Sequence, residues 1–305
     1  MTGNIVADLS LNATLSKLPY AKGAGWNPHS GCLKGTRAAL LDDICNWTQD
    51  TAPTAELYLL TAVADAGKSA IAHTVAEHCA CSGILLTFFF FSKDVAGCDQ
   101  PDRLFSTLAY DLAQVDPEVA KYMASAIESD CSLSTASLSR QFEDLVMIPS
   151  KKLQSKEPLV IVLDALDEGA LLELLGFLCD ELNCLPGLFC VVATSRPDER
   201  LTELFTKHHV YCYDINLEDV NNLADIEEYI KYCASWLAKH KPSVLEDTWL
   251  TGKLLAAVSQ KAEGLFQWVS VVFSNLETCV DPLDQLQSFL SNLHFLELTL
   301  REKWT

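Results

Sequence analysis

Positive charge and long apolar runs are both scarce in this 305-residue sequence, which carries 22 Lys and Arg against 41 Asp and Glu, a formal net charge of −19. Nucleic acids and anionic membrane surfaces are bound through clustered Lys and Arg, so neither is expected as a partner. Residues Met1 to Ser16 lack a basic n-region and a long apolar core, so no signal peptide is expected there. The most apolar stretches, Ile84–Phe91 and Leu159–Leu163, are strand-length rather than membrane-length, so no transmembrane segment is expected. Internal repeats and low-complexity tracts are also missing.

Disulfides are not expected either, although there are twelve cysteines. Cys179, Cys190, Cys212 and Cys233 sit in apolar runs, where a free thiol behaves as a small buried hydrophobe. The chain is also far longer than secreted scaffolds that depend on bridges. Reduced thiols in a cytoplasmic protein follow. His73, His78, Cys79 and Cys81 could be drawn as a zinc site, but a second ligand pair at finger-like spacing is missing. They read better as the end of an alanine-rich helix that leaves by a Ser-Gly turn.

What is present is organised around Leu57–Ala72. An apolar, strand-like run ends at Thr61, a loop of small residues follows, and Gly67-Lys68-Ser69 opens a helical pattern. In that context a phosphate-binding loop is expected over Ala62, Val63, Ala64, Asp65, Ala66, Gly67, Lys68, Ser69 and Ala70. Backbone amides and the positive end of the helix face one anion. Lys68 reaches the terminal phosphates and the Ser69 hydroxyl takes a Mg2+ ion. Ala62 stands where the strict pattern has glycine, and Asp65 brings a carboxylate towards phosphate oxygens. At about 6 Å and an effective dielectric near 20, such a like-charge pair costs roughly 2–3 kcal/mol, less if the carboxylate turns to solvent.

Along the chain, residues 1–30 read as a surface leader and 31–216 as the nucleotide-binding domain. Thr36 is a plausible N-cap for a helix whose apolar face is Leu40, Leu41, Ile44 and Trp47. After the loop come a helix from Lys68 to Cys79 and a strand, Ile84–Phe91. Its four consecutive phenylalanines, Phe88 to Phe91, need cover on both faces, as in a sheet wrapped by helices. Helices are predicted from Pro101 (Leu104, Leu108, Leu112), from Pro117 capped by Asp116, and across Leu138, Phe142, Leu145 and Val146. The strand Pro158–Leu163 ends in the acids Asp164, Asp167 and Glu168. A helix, Ala170–Asn183, follows, then the strand Phe189–Thr194 tipped by Ser195-Arg196-Pro197, and a short strand, His209–Ile215. This alternation predicts an α/β fold: a P-loop-type parallel sheet flanked by helices. Lys68, Asp164 and Arg196 all fall at carboxyl ends of strands, where such sheets bind ligands. From about 217 to 305 the pattern is helical only, with apolar faces at Ile226–Leu237, Leu254–Val258 and Leu265–Leu276, predicting a smaller all-helical domain.

Chemically, Asp164 would hold magnesium through water. Glu168, or else Asp167, would orient or deprotonate the attacking water, and Arg196 would sense the terminal phosphate. Singly, each of these is explained as a strand cap or a solvated loop tip; their order along the chain is what favours a nucleotide site.

These residues carry a resemblance. The chain resembles the NACHT group of signal-transduction P-loop ATPases (STAND class), in particular the nephrocystin-like N-terminal NACHT modules of NOD-like receptors abundant in fungi. The matching segments are Cys32–Arg37, Ala62–Ser69, Phe88–Ser92, Leu104–Leu112, Leu159–Glu168, Ala193–Pro197 and Gly264–Trp268. The resemblance implies an ATP/ADP switch that binds nucleotide between sheet and helical domains, self-associates or meets receptor-type partner proteins on exchange, and resets by slow hydrolysis. It implies phosphate and magnesium roles for Lys68 and Ser69, magnesium for Asp164, water for Glu168 and phosphate for Arg196. Gly35, Thr36 and Arg37 match a segment near the nucleotide base. The family loop has glycine where this chain has Ala62 and Asp65, and serine or threonine where it has Ala66. Aspartate tolerates positive φ better than most residues, so the loop fold survives. After Leu290 the usual continuation towards a winged helix is not recognisable, so a trimmed or fragmentary receptor is expected. Two functional readings remain: a nucleotide switch with weak ATPase activity, and a pseudo-ATPase interaction or decoy module. A small-molecule kinase is disfavoured for want of arginines in a lid.

Overall fold

In the computed structural model the described residues are 11–50, 57–95, 97–98, 101–154, 157–168, 171–181, 184–186, 189–199, 210–242, 245 and 249–291. Helix α1 is Ala38–Thr48, strand β1 is Leu57–Thr61, α2 is Lys68–Cys81 and β2 is Leu85–Phe90. Helices α3 (Pro101–Val115) and α4 (Pro117–Ser129) follow. Next, α5 begins as Leu138–Phe142 and passes through a π-helical turn, Glu143–Met147, into Ile148–Ser150. Strand β3 (Leu159–Asp164), α6 (Leu171–Glu181), β4 (Phe189–Ser195) and β5 (Val210–Asp214) complete the α/β part. Helices α7 (Val220–His240), α8 (Gly252–Ala262), α9 (Phe266–Thr278) and α10 (Pro282–Ser291) come after it. Among the described residues no helix is long and apolar enough to cross a membrane, and no disulfide joins two cysteines.

By contact the chain divides into two units. The first comprises Met1–Gly31, Ala39–Ala62 and Lys68–Asp214; the second comprises Cys32–Ala38, Val63–Gly67 and Ile215–Thr305. Two short segments that precede the helical region by more than a hundred residues therefore group with it, and one of them is the tip of the phosphate loop.

In the first unit, five parallel strands lie in the order β2-β3-β4-β1-β5. Every residue of β1, β3 and β4 is buried, which is why those strands read as unbroken apolar runs. Phe88, Phe89 and Phe91 are buried too, so β2 has cover on both faces. The α4 start is as predicted: Asp116 accepts from the Glu118 amide (2.8 Å) with Pro117 in the first turn. Thr36 does not cap α1; its hydroxyl donates back to the Leu33 carbonyl (2.8 Å), and the helix opens at Ala38.

The expected surface leader is partly core. Leu15, Leu18, Ala21 and Ala24 are buried in the main cluster, and the Phe90 amide donates to the Ala24 carbonyl (3.1 Å). The stretch covers the open edge of the sheet at β2, and an edge strand needs such cover. A weak apolar period concealed it. Residues 1–10 and 292–305, and the ends predicted at Ala170, Asn183 and His209, lie outside the described residues.

Asp111 on α3 is half-buried beside Thr87, whose hydroxyl donates to it (2.8 Å). Burial pushes its carboxyl up to about 6, against the pull of hydrogen bonds from Thr87 and Tyr20. An unfolded Asp titrates near 3.9 (roughly), so between pH ~4 and ~6 the folded chain keeps a proton that the unfolded chain has lost. Stability therefore falls as pH rises through that window. Asp111→Asn should remove the fall and leave the protein about 1–3 kcal/mol more stable than the parent at pH 7.5, with little difference at pH 4.5. Urea unfolding at the two pH values checks this.

In the second unit the core is Ile226, Ile230, Leu237, Val258, Val269, Val272, Phe273, Leu276 and their neighbours. Trp236, expected on the apolar face of α7, is at the rim and stacks on His240 (3.8 Å between centroids).

Candidate nucleotide-binding site

Strand β1 delivers the chain into the phosphate loop at its buried carboxyl end. Thr61 is fixed there by a hydroxyl bond to Asp214 of β5 (2.8 Å). The Ala62 amide donates to the Ser195 carbonyl at the end of β4 (3.3 Å). Asp65 has φ 68° and Gly67 φ 89°. Both lie in the left-handed region, which glycine occupies freely and aspartate better than most residues. The loop thus keeps its course with Asp65 at a position where the resembling family carries glycine. Lys68 opens α2 and folds back so that Nζ donates to the Ala62 carbonyl (2.9 Å). Ser69, in the first turn, is exposed.

The buried acid of the site is Asp164, which ends β3 with no exposed surface. Its Oδ1 accepts a short bond from the Thr194 hydroxyl (2.5 Å), which in turn accepts from the Ala165 amide (3.0 Å). Burial pushes the Asp164 carboxyl above the usual carboxylate range; Thr194, the Ser69 hydroxyl, His73 and the Ala165 amide pull the other way. Its Oδ2 is buried without a hydrogen bond. An orphaned carboxylate oxygen costs about 1–3 kcal/mol or more in a protein interior, and a divalent cation is the partner that removes that cost. The arrangement therefore fits a divalent cation such as magnesium, which Ser69 and Asp164 would hold. Ala165 follows with φ 56°, a left-handed alanine whose strain of about 1–2 kcal/mol turns the chain sharply into Leu166–Glu168.

Asp167 and Arg196 are brought together, but to each other. Arg196 Nε meets Asp167 Oδ2 at 3.0 Å and the Arg196 amide donates to Oδ1 at 3.1 Å. Glu168 is half-buried in the same turn, its amide bonded to the Ala165 carbonyl (2.9 Å). His73 is engaged structurally: it stacks on Phe88 (4.8 Å) and its Nδ1 accepts from the Asn27 amide (3.0 Å). Cys79 is in the core. Among the described residues no group of three or more His, Cys, Asp or Glu is placed to hold a metal ion.

Arg37 is buried within the second unit. Its Nη2 donates to the Ala66 carbonyl (3.0 Å), its guanidinium lies 4.8 Å from the Phe266 ring centroid, and its amide donates to Asp225 Oδ2 (2.9 Å). Gly35 (φ 95°) and Arg37 (φ 58°) both take left-handed backbone, which shapes the approach of this segment. Thr36 is buried between them. Sequence reasoning did not single out Thr194 as a site residue. A hydroxyl at the end of the strand next to the acid-tipped strand was the available signal, but its partner depends on strand order.

Parallel sheet, phosphate loop, helix and buried acid together define a P-loop nucleotide-binding module. More specifically, the chain belongs to the family described as nephrocystin 3, N-terminal, whose match covers residues 35–196. Among solved structures it is similar to C. elegans PCH-2, with 11% identity, a TM-score of 0.45, and coverage of 97% of this chain and 72% of that one. It is also similar to Drosophila ORC bound to DNA, with 13% identity, a TM-score of 0.42, and coverage of 84% of this chain and 60% of that one. No curated protein matches it.

Proposed function

We propose that the chain binds ATP or ADP with Mg2+ at Ala62–Ala70 and works as a NACHT-type signalling switch with slow ATPase activity. The observation that carries this reading is the fully buried Asp164, whose Oδ2 makes no hydrogen bond and whose carboxyl the Ser69 hydroxyl stabilises. Lys68 would bind the terminal phosphates, Ser69 and Asp164 would hold magnesium, and Glu168 would orient water. Magnesium, when bound, neutralises phosphate charge. With a net charge of −19, the expected partners are other protein chains, through self-association or receptor-type contacts, in the cytoplasm.

A second reading, a pseudo-ATPase interaction module, is favoured by the Asp167–Arg196 pair, which occupies two groups proposed for hydrolysis. Asp65 adds to it. Equilibrium binding of a fluorescent ATP analogue with magnesium separates the two. The switch predicts micromolar or tighter binding (roughly −8 kcal/mol), lost in Lys68→Ala and little changed in Asp65→Gly. Binding that appears only in Asp65→Gly would establish the pseudo-ATPase. Silence from all three folded proteins would exclude the nucleotide site.

A further inference from the structure

The phosphate loop is gripped by its carbonyls. The Ala66 carbonyl accepts from Arg37 Nη2 (3.0 Å) and the Asp65 carbonyl accepts from the Gln267 amide in the first turn of α9 (3.3 Å). A trans peptide is planar, so the C=O of one residue and the N–H of the next point in opposite directions. Fixing the carbonyls of Asp65 and Ala66 therefore fixes the amides of Ala66 and Gly67, and turns both away from Arg37 and α9. The Ala66 amide closes the turn over Ala64–Asp65 towards the Val63 carbonyl, whereas the Gly67 amide makes no such bond among the described residues. Successive amides at a left-handed turn, here Asp65 at φ 68°, form a concavity that suits an anion.

Arg37 is well built for this task. Phe266 supports its guanidinium plane, Asp225 holds its backbone, and the side chain is buried. Its charge also polarises the Ala66–Gly67 peptide, which strengthens the Gly67 amide as a donor. The positive charge one peptide away opposes the repulsion that the Asp65 carboxylate brings to the loop.

We propose that Arg37 is a positioning residue for phosphate: through the Ala66 carbonyl it presets the Gly67 amide, while the Gln267 amide holds the peptide before it, so that elements of the helical unit set the loop's phosphate affinity. This rests on the nucleotide reading above and differs from a contact with the base. The test uses the full chain, the fluorescent ATP analogue, and pyrophosphate as a base-free competitor. Arg37→Met keeps the length of the side chain but loses its donor. Gln267→Pro deletes the second donor at a first-turn position where helices accept proline.

Arg37→Met should weaken ATP and pyrophosphate by the same factor, about 10- to 100-fold, and Gln267→Pro by about tenfold. Arg37→Lys should recover only part of the loss, because an ammonium cannot both stack and donate in plane. Amide exchange over residues 62–69 should quicken in both Met and Pro variants without ligand. Unchanged pyrophosphate affinity in Arg37→Met, whether or not ATP weakens, would overturn the proposal while leaving the nucleotide site intact. A parent that binds neither ATP nor pyrophosphate would overturn both. Should Arg37→Met fail to fold, undiminished pyrophosphate binding by Gln267→Pro would be decisive against it.

Discussion

Gly264→Ala is expected to unfold the helical unit or come close to it. The residue has φ 79°, and an added Cβ would lie 2.6 Å from the Leu217 carbonyl oxygen and 2.8 Å from Asn222 Nδ2. Neither neighbour can yield cheaply, because Asn222 Nδ2 donates to both the Leu217 and Gly264 carbonyls (2.8 and 3.2 Å). The left-handed backbone costs about 1–2 kcal/mol with a Cβ, and forcing a methyl group into a packed site about 1–3 kcal/mol more. Against a typical stability of about 5–15 kcal/mol, that loss should lower the thermal midpoint by roughly 10 °C or more. Gly35→Ala separates the two causes: its φ is 95°, but nothing lies within 4 Å of an added Cβ. It should cost about 1 kcal/mol. Equal thermal midpoints for the two variants would show that the close approach at Gly264 carries no weight.

Asp164→Asn should raise stability and remove magnesium-dependent nucleotide binding together. The carboxylate is desolvated and one oxygen lacks a partner. An amide of the same shape keeps the Thr194 bond and can donate towards Ser69, at a smaller desolvation cost. The ligand-free midpoint should rise by a few degrees (about 0.5–2 kcal/mol), while ATP-analogue binding in magnesium weakens about 100-fold towards its value in EDTA. Calorimetry and titrations with and without magnesium read the two effects. A midpoint that falls, with the magnesium dependence intact, would assign Asp164 to structure alone. Thr194→Val, which strips the donor from Oδ1, should instead destabilise by about 1–3 kcal/mol.

Much of the α/β part was legible because its signals are local. A strand buried on both faces must be apolar at every position, and Leu159–Leu163 and Phe189–Ala193 are. Asp116-Pro117 is a helix start whatever surrounds it, since cap and fixed φ act within one turn. The leader was misread for the opposite reason. Leu15, Leu18, Ala21 and Ala24 form no strong period, and their burial depends on the exposed edge of β2, some seventy residues away, being available to cover.

Sequence by itself therefore determined the order strand–loop–helix, the acid at the end of the buried strand, and the alternation of strands and helices that gives way to helices alone. Tertiary structure alone decided which groups meet. Thr194 reaches Asp164 because β3 and β4 are neighbours in the sheet. Arg196 is drawn to Asp167, and Arg37 closes on the Ala66 carbonyl within the helical unit. Periodicity records which face a residue buries, whereas a hydrogen bond across thirty residues depends on strand order and turn handedness, which no local pattern encodes.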